Sequence, residues 1–216
     1  KISVIYDCVD VNRFCKNDVT RTELRDKYNI SSDTIVIGYI GSIVNYQGIE
    51  YLLECTKALI EKENKAVKLV LIGDGSYNEY IKNYIEDLDI HDHVLHLDNI
   101  DYEEINKYYN MMDIMVYPKR SYDWCQHVDS HKVLEAMASE LPIVISRLSI
   151  WEKPLNEDMC RFIQPENLND LIDKVKKLIE DEEARMTLGK KARAWIIENR
   201  NSQKLTESLI ELYNNL

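Results

Sequence analysis

The chain has 216 residues, of which 45% are hydrophobic and 30% charged, a balance typical of one globular domain and not of a disordered segment. Its formal net charge of −11 argues against nucleic acids and anionic lipid surfaces as partners, so any bound phosphate must be held by a local group of donors. No apolar run approaches the roughly 18 residues that cross a bilayer.

The five cysteines are scattered, odd in number and without a C-x-x-C pair. This pattern favours reduced thiols in a cytoplasmic protein over a disulfide or zinc framework. The sequence opens Lys1-Ile2-Ser3, without a methionine or a signal peptide, so we expect a domain of a longer protein.

Five short apolar runs predict the strands of a buried sheet. Their hydrophobic residues are nearly continuous and do not alternate, as expected for strands covered on both faces. The predicted strands are residues 34–40, 67–72, 94–97, 114–117 and 143–145.

Segments with helical spacing separate these strands. The first has an apolar face made of Ile49, Leu52, Leu53, Leu59 and Ile60. Further helices are predicted over residues 77–88, 102–110 and 130–138, and Asp101 with Glu104 resembles a capping box at the start of the second. Strands that alternate with helices predict an α/β fold, a Rossmann-like parallel sheet flanked by helices.

Beyond Pro165 the pattern becomes helical. Asn167 is a plausible cap for an amphipathic stripe of Leu168, Leu171, Ile172, Val175, Leu178 and Ile179. Two more helices are predicted over residues 182–198 and 202–216. We therefore expect one domain over residues 1–200 with a helical C-terminal extension over residues 201–216.

Four loops follow predicted strands, where ligands of open parallel sheets bind. In loop 41–48, Gly41 permits close backbone approach, and the helix start after Gln47 presents N–H groups to an anion. The alternative is an ordinary turn. Loop 72–76 resembles the start of a dinucleotide fingerprint, but Asn78 replaces its third glycine, so it favours a close turn over an NAD site.

In the third loop, residues 98–101, backbone groups either contact the edge of a nucleotide base or only start a helix. The fourth, residues 118–135, is long and gathers Lys119, Arg120, His131 and Lys132 before a helix, a combination that suits a diphosphate. Glu135 lies three residues after Lys132, so it shares that helix face and can accept from ligand hydroxyls. The alternative is a solvated loop with a surface glutamate.

Two apparent metal motifs do not predict a metal site. His93 and His96 would point to opposite faces of a strand, which separates them although His91 is near in sequence. Asp87-Leu88-Asp89 matches a D-x-D motif but falls at a helix end in an acidic stretch.

Several short motifs follow one another in a specific order and spacing. They are ISVIYDCVD at 2–10 with Phe14 downstream, IGYIGS at 37–42, YQGIE at 46–50, LIGDG at 71–75, LEAMA at 134–138, DEEAR at 181–185, Leu188-Gly189 and ARAW at 192–195. Together they resemble the C-terminal half of the family 4 glycosyltransferases, retaining enzymes of GT-B fold that use nucleotide sugars. The resemblance covers nearly the whole chain and implies a donor-binding domain, the second half of a GT-B fold.

The resemblance also implies roles for matching residues. Glu135 would hold the donor ribose hydroxyls, and Lys132 and Arg120 would neutralise the diphosphate with help from N–H groups around Gly41 and Ser42. Lys132, Arg120 and Glu135 are therefore the expected catalytic residues.

Other loops complete the site that the resemblance implies. The loop near Asn99 and Ile100 would contact the base, and residues from Asp123 to His127 would face the transferred sugar. The complete expected donor site, without a metal, is Gly41, Ser42, Gln47, Gly73, Asn99, Ile100, Arg120, Asp123, His127, Ser130, Lys132 and Glu135.

The chain departs from the family pattern at several positions. Ser42 and Gln47 stand where the family often has arginine and lysine, which places more weight on Arg120 and Lys132. His127 stands where the first of two glutamates is usual; the alternatives for its role are Asp123, Gln126 and Asp129. Asp7-Cys8 replaces asparagine-glycine in the first motif.

The expected function is transfer of a sugar from a nucleoside diphosphate sugar, with a UDP-sugar favoured and no cofactor, in bacterial surface polysaccharide synthesis. The expected partners are the donor, a lipid-linked or glycan acceptor, and an N-terminal acceptor domain on which the last helix would pack through Leu205, Leu209, Leu212 and Leu216. The full protein would be cytoplasmic or peripheral at the inner membrane. The alternatives are a degenerate non-catalytic binding or regulatory domain, to which Ser42, Gln47 and His127 point, and a nucleotide-sugar epimerase, against which the 134–138 motif argues.

Overall fold

The computed structural model describes residues 5–61, 63 and 65–214. In that part of the chain one sheet holds six parallel strands: β1 (Ile35–Ile40), β2 (Val67–Ile72), β3 (Val94–Leu97), β4 (Ile114–Tyr117), β5 (Ile143–Ser146) and β6 (Arg161–Ile163). Their order across the sheet is β3-β2-β1-β4-β5-β6. The order reverses between β1 and β4, and ligands of such sheets bind outside the carboxyl ends of strands at that point.

The helices that accompany the sheet are α1 (Asp18–Lys27), α2 (Ile49–Glu61), α3 (Asn78–Asp87), α4 (Ile105–Met111), α5 (His131–Ala138), α6 (Ser149–Glu152), α7 (Leu168–Glu180), α8 (Glu182–Asn199) and α9 (Ser202–Asn214). None of the helices, as far as the structure describes them, is both long enough and apolar enough to cross a membrane.

Strand β1 shows why these apolar runs form the middle of the sheet. Val36, Ile37 and Tyr39 are fully buried, and the strand pairs with β2 on one side and β4 on the other. A strand with neighbours on both edges and helices over both faces has no polar face, which explains its continuous apolar sequence. The predicted α/β fold with a Rossmann-like parallel sheet is confirmed.

The five predicted strands are confirmed with small boundary shifts, since β1 begins at Ile35 and β5 continues to Ser146. Sequence reasoning missed β6, α1 and α6. β6 and α6 have only three and four residues, too few to show a period. In α1 the buried residues are Leu24 and Arg25, so this helix has no apolar stripe.

Charged side chains attach α1 to the sheet. Arg21 and Arg25 both donate to the Asp113 carboxylate just before β4. That carboxylate also accepts the Val36 N–H at 2.7 Å. The Asp113 carboxylate thus joins α1, β1 and β4 at the end of the sheet opposite to the carboxyl ends of the strands.

Two predicted helix starts had different outcomes. The Asn167 side chain accepts the Asp170 N–H at 3.1 Å, which confirms it as the cap of α7. The capping box at Asp101 is wrong, because α4 begins only at Ile105. Glu104 lies in the preceding turn, and its carboxylate pairs with Lys107 and not with a free N–H of the helix.

The C-terminal helix is tied to the first described residues. The Val9 N–H donates to the Arg200 carbonyl at 2.9 Å, and the Ser202 N–H donates to the Val9 carbonyl at 3.1 Å. Leu205, Leu209 and Leu212 line a groove of about 400 Å³ beside residues 5–8. Leu216 and residues 2–4 of the first motif lie outside the described residues. The division at residue 200 and the packing of this helix on another domain stay predictions.

Helix α8 approaches the end of α5 closely at Gly189. A Cβ atom on Gly189 would lie 1.9 Å from the Glu140 carbonyl oxygen. Overpacking costs about 1–3 kcal/mol, and the better helix propensity of alanine returns about 1 kcal/mol. The contacted atom belongs to the backbone and cannot move aside cheaply, so the overpacking cost lies at the upper end of that range, and we expect Gly189→Ala to lower the free energy of unfolding by about 2 kcal/mol in urea titrations. Lys190→Ala, on an exposed position of the same helix, should change it by less than about 0.5 kcal/mol; equal stability of Gly189→Ala and wild type would contradict the close packing.

Candidate functional site

A cleft of about 340 Å³ lies at the carboxyl ends of β1, β2 and β3, against the start of α5. The predicted site residues that line it are Gly41, Ser42, Gly73, Asn99, Ile100, Lys132 and Glu135. It is also lined by His131, one of the cations that the fourth loop was expected to gather, and by Asp74 and Tyr102, which were not predicted. The three loops after β1, β2 and β3 and the first turn of α5 thus converge as the parallel topology requires.

Two glycines let the loops approach one another. Gly73 has a φ of +140°, and a Cβ there would lie 2.0 Å from the Gly41 carbonyl oxygen. Gly41 has a φ of +149°, and a Cβ there would lie 2.5 Å from the Lys132 Nζ. Both positions need glycine for their backbone conformation, and Gly73 needs it also for space, because its neighbour is backbone. The consequence is that the Lys132 ammonium lies directly against the first loop.

Lys132 is a half-buried cation that tyrosines hold in place. Its Nζ donates to the Tyr39 hydroxyl at 3.0 Å, and that hydroxyl donates to the Ser42 carbonyl at 2.9 Å. The Nζ also lies 4.8 Å and 5.7 Å from the ring centroids of Tyr39 and Tyr117. Burial, and then the positive charge of Lys119, lower the pKa of Lys132 to about 7. No carboxylate in the described part of the chain forms an ion pair with it, so a bound anion can serve as its counter-charge.

Glu135 is a buried carboxylate one turn further along α5, with an exposed fraction of 7%. Its Oε2 accepts the Tyr109 hydroxyl at 2.8 Å, and its Oε1 accepts the Tyr102 hydroxyl at 3.2 Å. These two bonds fix the orientation of the carboxylate at the cleft wall. Its remaining lone pairs can accept from ligand hydroxyls.

Sequence reasoning missed the tyrosines that hold these two residues. Tyr39 lies in the apolar strand β1 and Tyr109 in the short helix α4, and both are fully buried, where an aromatic residue normally signals core. Their hydroxyl groups are the only sequence signal of a second role, because a buried hydroxyl needs a partner.

Arg120 does not line the cleft. Its guanidinium pairs with the buried Glu50 and, at 3.1 Å, with Glu166, and its Nε donates to the Asn45 carbonyl at 3.2 Å. Two carboxylates therefore balance its charge. In this structure protein carboxylates already hold Arg120, and its role at a diphosphate stays a prediction.

The other expected residues outside the cleft lie around it. Gln47 is buried with 7% exposure, and Ser130 occupies the cap position of α5 without a side-chain bond to it. Asp123 is exposed, while His127 lines a separate cavity of about 460 Å³ with Trp195 and Arg200. Their donor-binding roles stay predictions.

The structure distinguishes the three residues that could take the role of the first glutamate of the family's usual pair. The Gln126 side chain accepts the Ser149 N–H at 2.9 Å, and Asp129 accepts from Arg200 at 3.0 Å. Both side chains hold neighbouring segments together. Asp123 remains as the exposed alternative.

The two apparent metal motifs meet only where His91 lies beside Asp89. The His91 imidazole lies beside Asp89 and Asp92, whereas His96 is half-buried, and burial lowers its pKa. In the described residues, no three histidine, cysteine or acidic side chains form a group that could hold a metal ion.

Known proteins share this architecture. The capsular polysaccharide biosynthesis glycosyltransferase CapM of Staphylococcus aureus is 26% identical over 209 residues, which are 94% of this chain and 52% of CapM. The chain thus spans about half the length of this curated relative.

Solved structures show the same fold. HepE from Anabaena, solved in complex with UDP, superposes with a TM-score of 0.87 at 17% identity, covering 99% of this chain and 57% of that one. The C-terminal domain of the group 1 glycosyl transferase LpcC from Francisella tularensis superposes with a TM-score of 0.76 at 19% identity, covering 90% and 99%. The match to an isolated C-terminal domain agrees with the predicted second half of a GT-B fold.

The family assignment follows from the sequence match. A model of the family described as glycosyl transferases group 1 matches residues 20–195, which include β1 to β6 and the complete cleft. This chain therefore belongs to the group 1 glycosyl transferases.

Proposed function

We propose that this chain binds the nucleoside diphosphate part of a sugar donor in the cleft, and that the full-length protein transfers the sugar with retention at the anomeric carbon. The observation that carries the proposal is the pair of unlike groups on α5. Lys132 offers a cation without a carboxylate partner, suited to a diphosphate. Glu135 offers an oriented carboxylate, suited to ribose hydroxyls.

The chemistry required of this domain is stabilisation of a leaving group. As the glycosidic bond breaks, negative charge accumulates on the departing diphosphate. Lys132 and the N–H groups at the start of α5 are fixed before the reaction, so they stabilise that charge without reorganisation. This electrostatic arrangement supports a mechanism in which protein groups, without a metal, balance the diphosphate.

The comparisons support the choice of donor and setting. HepE was solved with UDP, so a UDP-sugar is the proposed donor, with Asn99 and Ile100 against the base. CapM is a capsular polysaccharide biosynthesis glycosyltransferase, which supports a glycan or lipid-linked acceptor in surface polysaccharide synthesis. We place the full-length protein in the cytoplasm, with peripheral attachment to the inner membrane through segments outside this chain.

One observation favours a second candidate, a degenerate binding domain. Ser42 and Gln47 carry no charge, and Arg120 is balanced by Glu50 and Glu166. Such a domain would retain the fold but bind nucleotides weakly.

Calorimetric titration of the chain with UDP, GDP and ADP separates the two candidates. We expect one diphosphate, UDP, to bind in the micromolar range, about −7 to −8 kcal/mol. Binding no tighter than millimolar by a folded chain, repeated with the full-length protein, would establish the degenerate domain instead. If the full-length protein converts a UDP-sugar into its epimer without an acceptor, it is an epimerase.

A further inference from the structure

We propose that Lys119, and not Arg120, supplies the second positive charge of the donor diphosphate site. This inference rests on the proposed function, because it assigns a residue to the same site. Lys119 follows β4 by two residues, whereas Gly41 and Ser42 follow β1 directly. Because β1 and β4 are adjacent and parallel, both loops leave the sheet at the point where its strand order reverses.

Aromatic rings hold the Lys119 ammonium against the first loop. The Nζ lies 5.7 Å from the ring centroid of Tyr46 and 5.5 Å from that of Trp124. The two rings pack edge to face with centroids 4.5 Å apart. The main chain joins the same loops, since the Arg120 N–H donates to the Tyr46 carbonyl at 2.9 Å. The Lys119 ammonium is thus held without being neutralised.

The charge of Lys119 has no carboxylate partner in the described part of the chain, and burial lowers its pKa. Arg120, the next residue, differs in this respect, because two carboxylates balance its charge. In a chain with 38 acidic residues, a half-buried lysine without a counter-charge is conspicuous. Leaving such a cation unpaired is costly, so the arrangement favours binding of an anion.

Lys119 also acts on Lys132. Its charge is close enough to lower the pKa of Lys132, so two uncompensated cations repel each other beside the first loop. Lys119 lies outside the lining of the cleft, so it would act across the first loop on a diphosphate bound at Lys132, and attraction to that diphosphate would replace the repulsion. Gln47 stands where the family often has a lysine, so the first loop lacks that charge. Its neighbour Tyr46 holds the Lys119 ammonium instead. The fourth loop thereby provides a charge that the first loop lacks.

The test is a calorimetric titration of wild type, Lys119→Met, Lys119→Arg and Lys177→Met with UDP and with UMP. Lys119→Met should weaken UDP binding by about 10- to 100-fold and weaken UMP binding less, because UMP lacks the second phosphate. Lys119→Arg keeps the charge and the ring contacts, and it should restore most of the affinity. Lys177→Met removes one exposed charge paired with Asp173 on α7 and should bind UDP like wild type.

The outcomes separate this inference from the proposed function. If wild type binds UDP and Lys119→Met binds it equally well, the inference fails while the proposed function stands. Equal losses for UDP and UMP would give Lys119 a purely structural role and also overturn the inference. If folded wild type binds none of UDP, GDP and ADP, and the full-length protein binds none either, both fail. Should Lys119→Met not fold by circular dichroism, Lys119→Gln takes its place with the same expectations.

Discussion

Lys132→Met is expected to weaken UDP binding by about 30-fold or more, since truncating one partner of a buried charge pair costs about 2–5 kcal/mol. The ammonium lies against Gly41 and has no carboxylate partner among the described residues, so a bound diphosphate would be its counter-ion. The thermal midpoint of the free protein should be no lower than that of wild type, because methionine removes an unbalanced charge. Calorimetry with UDP and a thermal melt measure the two effects.

The same residue makes UDP binding depend on pH. The pKa of Lys132 is lowered from 10.5 to about 7 in the free protein, and a bound diphosphate raises it again by favouring the charged form. Below pH 7 the lysine is already protonated, and it adds no pH dependence. Above pH 7 binding must take up a proton, so affinity falls as the pH rises. Titrations at pH 8 in buffers with different ionisation enthalpies measure that uptake.

Lys132→Arg is the matched control, because arginine stays charged across this range. Its affinity should not show the fall above pH 7, whatever its absolute value. Proton uptake that persists in both Lys132→Met and Lys132→Arg would assign the titration to another group.

Glu135→Ala is expected to weaken UDP binding by about 10- to 100-fold, because hydrogen bonds to a charged group contribute about 1.5–3 kcal/mol. It should also lower the free energy of unfolding by about 1–2 kcal/mol. The Tyr109 hydroxyl would lose its 2.8 Å bond to the carboxylate and keep only a longer contact of 3.3 Å with the Lys132 carbonyl.

A modified ligand tests the ribose contact directly. UDP that lacks both ribose hydroxyls should bind wild type weakly, and Glu135→Ala should not weaken it further. Tyr102→Phe removes only the 3.2 Å bond that orients the carboxylate and should have a smaller effect than Glu135→Ala. If Glu135→Ala weakens both ligands by the same factor, the carboxylate acts through the fold and not through the ribose.

The sequence by itself determined the sheet and the place of the site. Strands covered on both faces need continuous apolar runs, and β1 to β5 were predicted from these within one residue at each end. Parallel topology then places the loops after the strands at one edge, so Gly41, Gly73, Asn99, Lys132 and Glu135 could be assigned to one cleft before their distances were known. Motif spacing indicated the family independently.

Only the tertiary structure decided which charges are available there. Lys119 and Arg120 are neighbours in sequence, yet Glu50 and Glu166 from distant segments balance Arg120 while Tyr46 and Trp124 hold Lys119 without a counter-charge. The strand β6 and the helix α1 could not be predicted from the sequence either. The three residues of β6 show no period, and α1 has no apolar stripe and is held through Asp113. For Lys119, Arg120 and α1 the physical reason is the same. Hydrophobic periodicity is a local property of the chain, whereas the balance of a charge depends on which distant side chains the fold brings within a few ångströms.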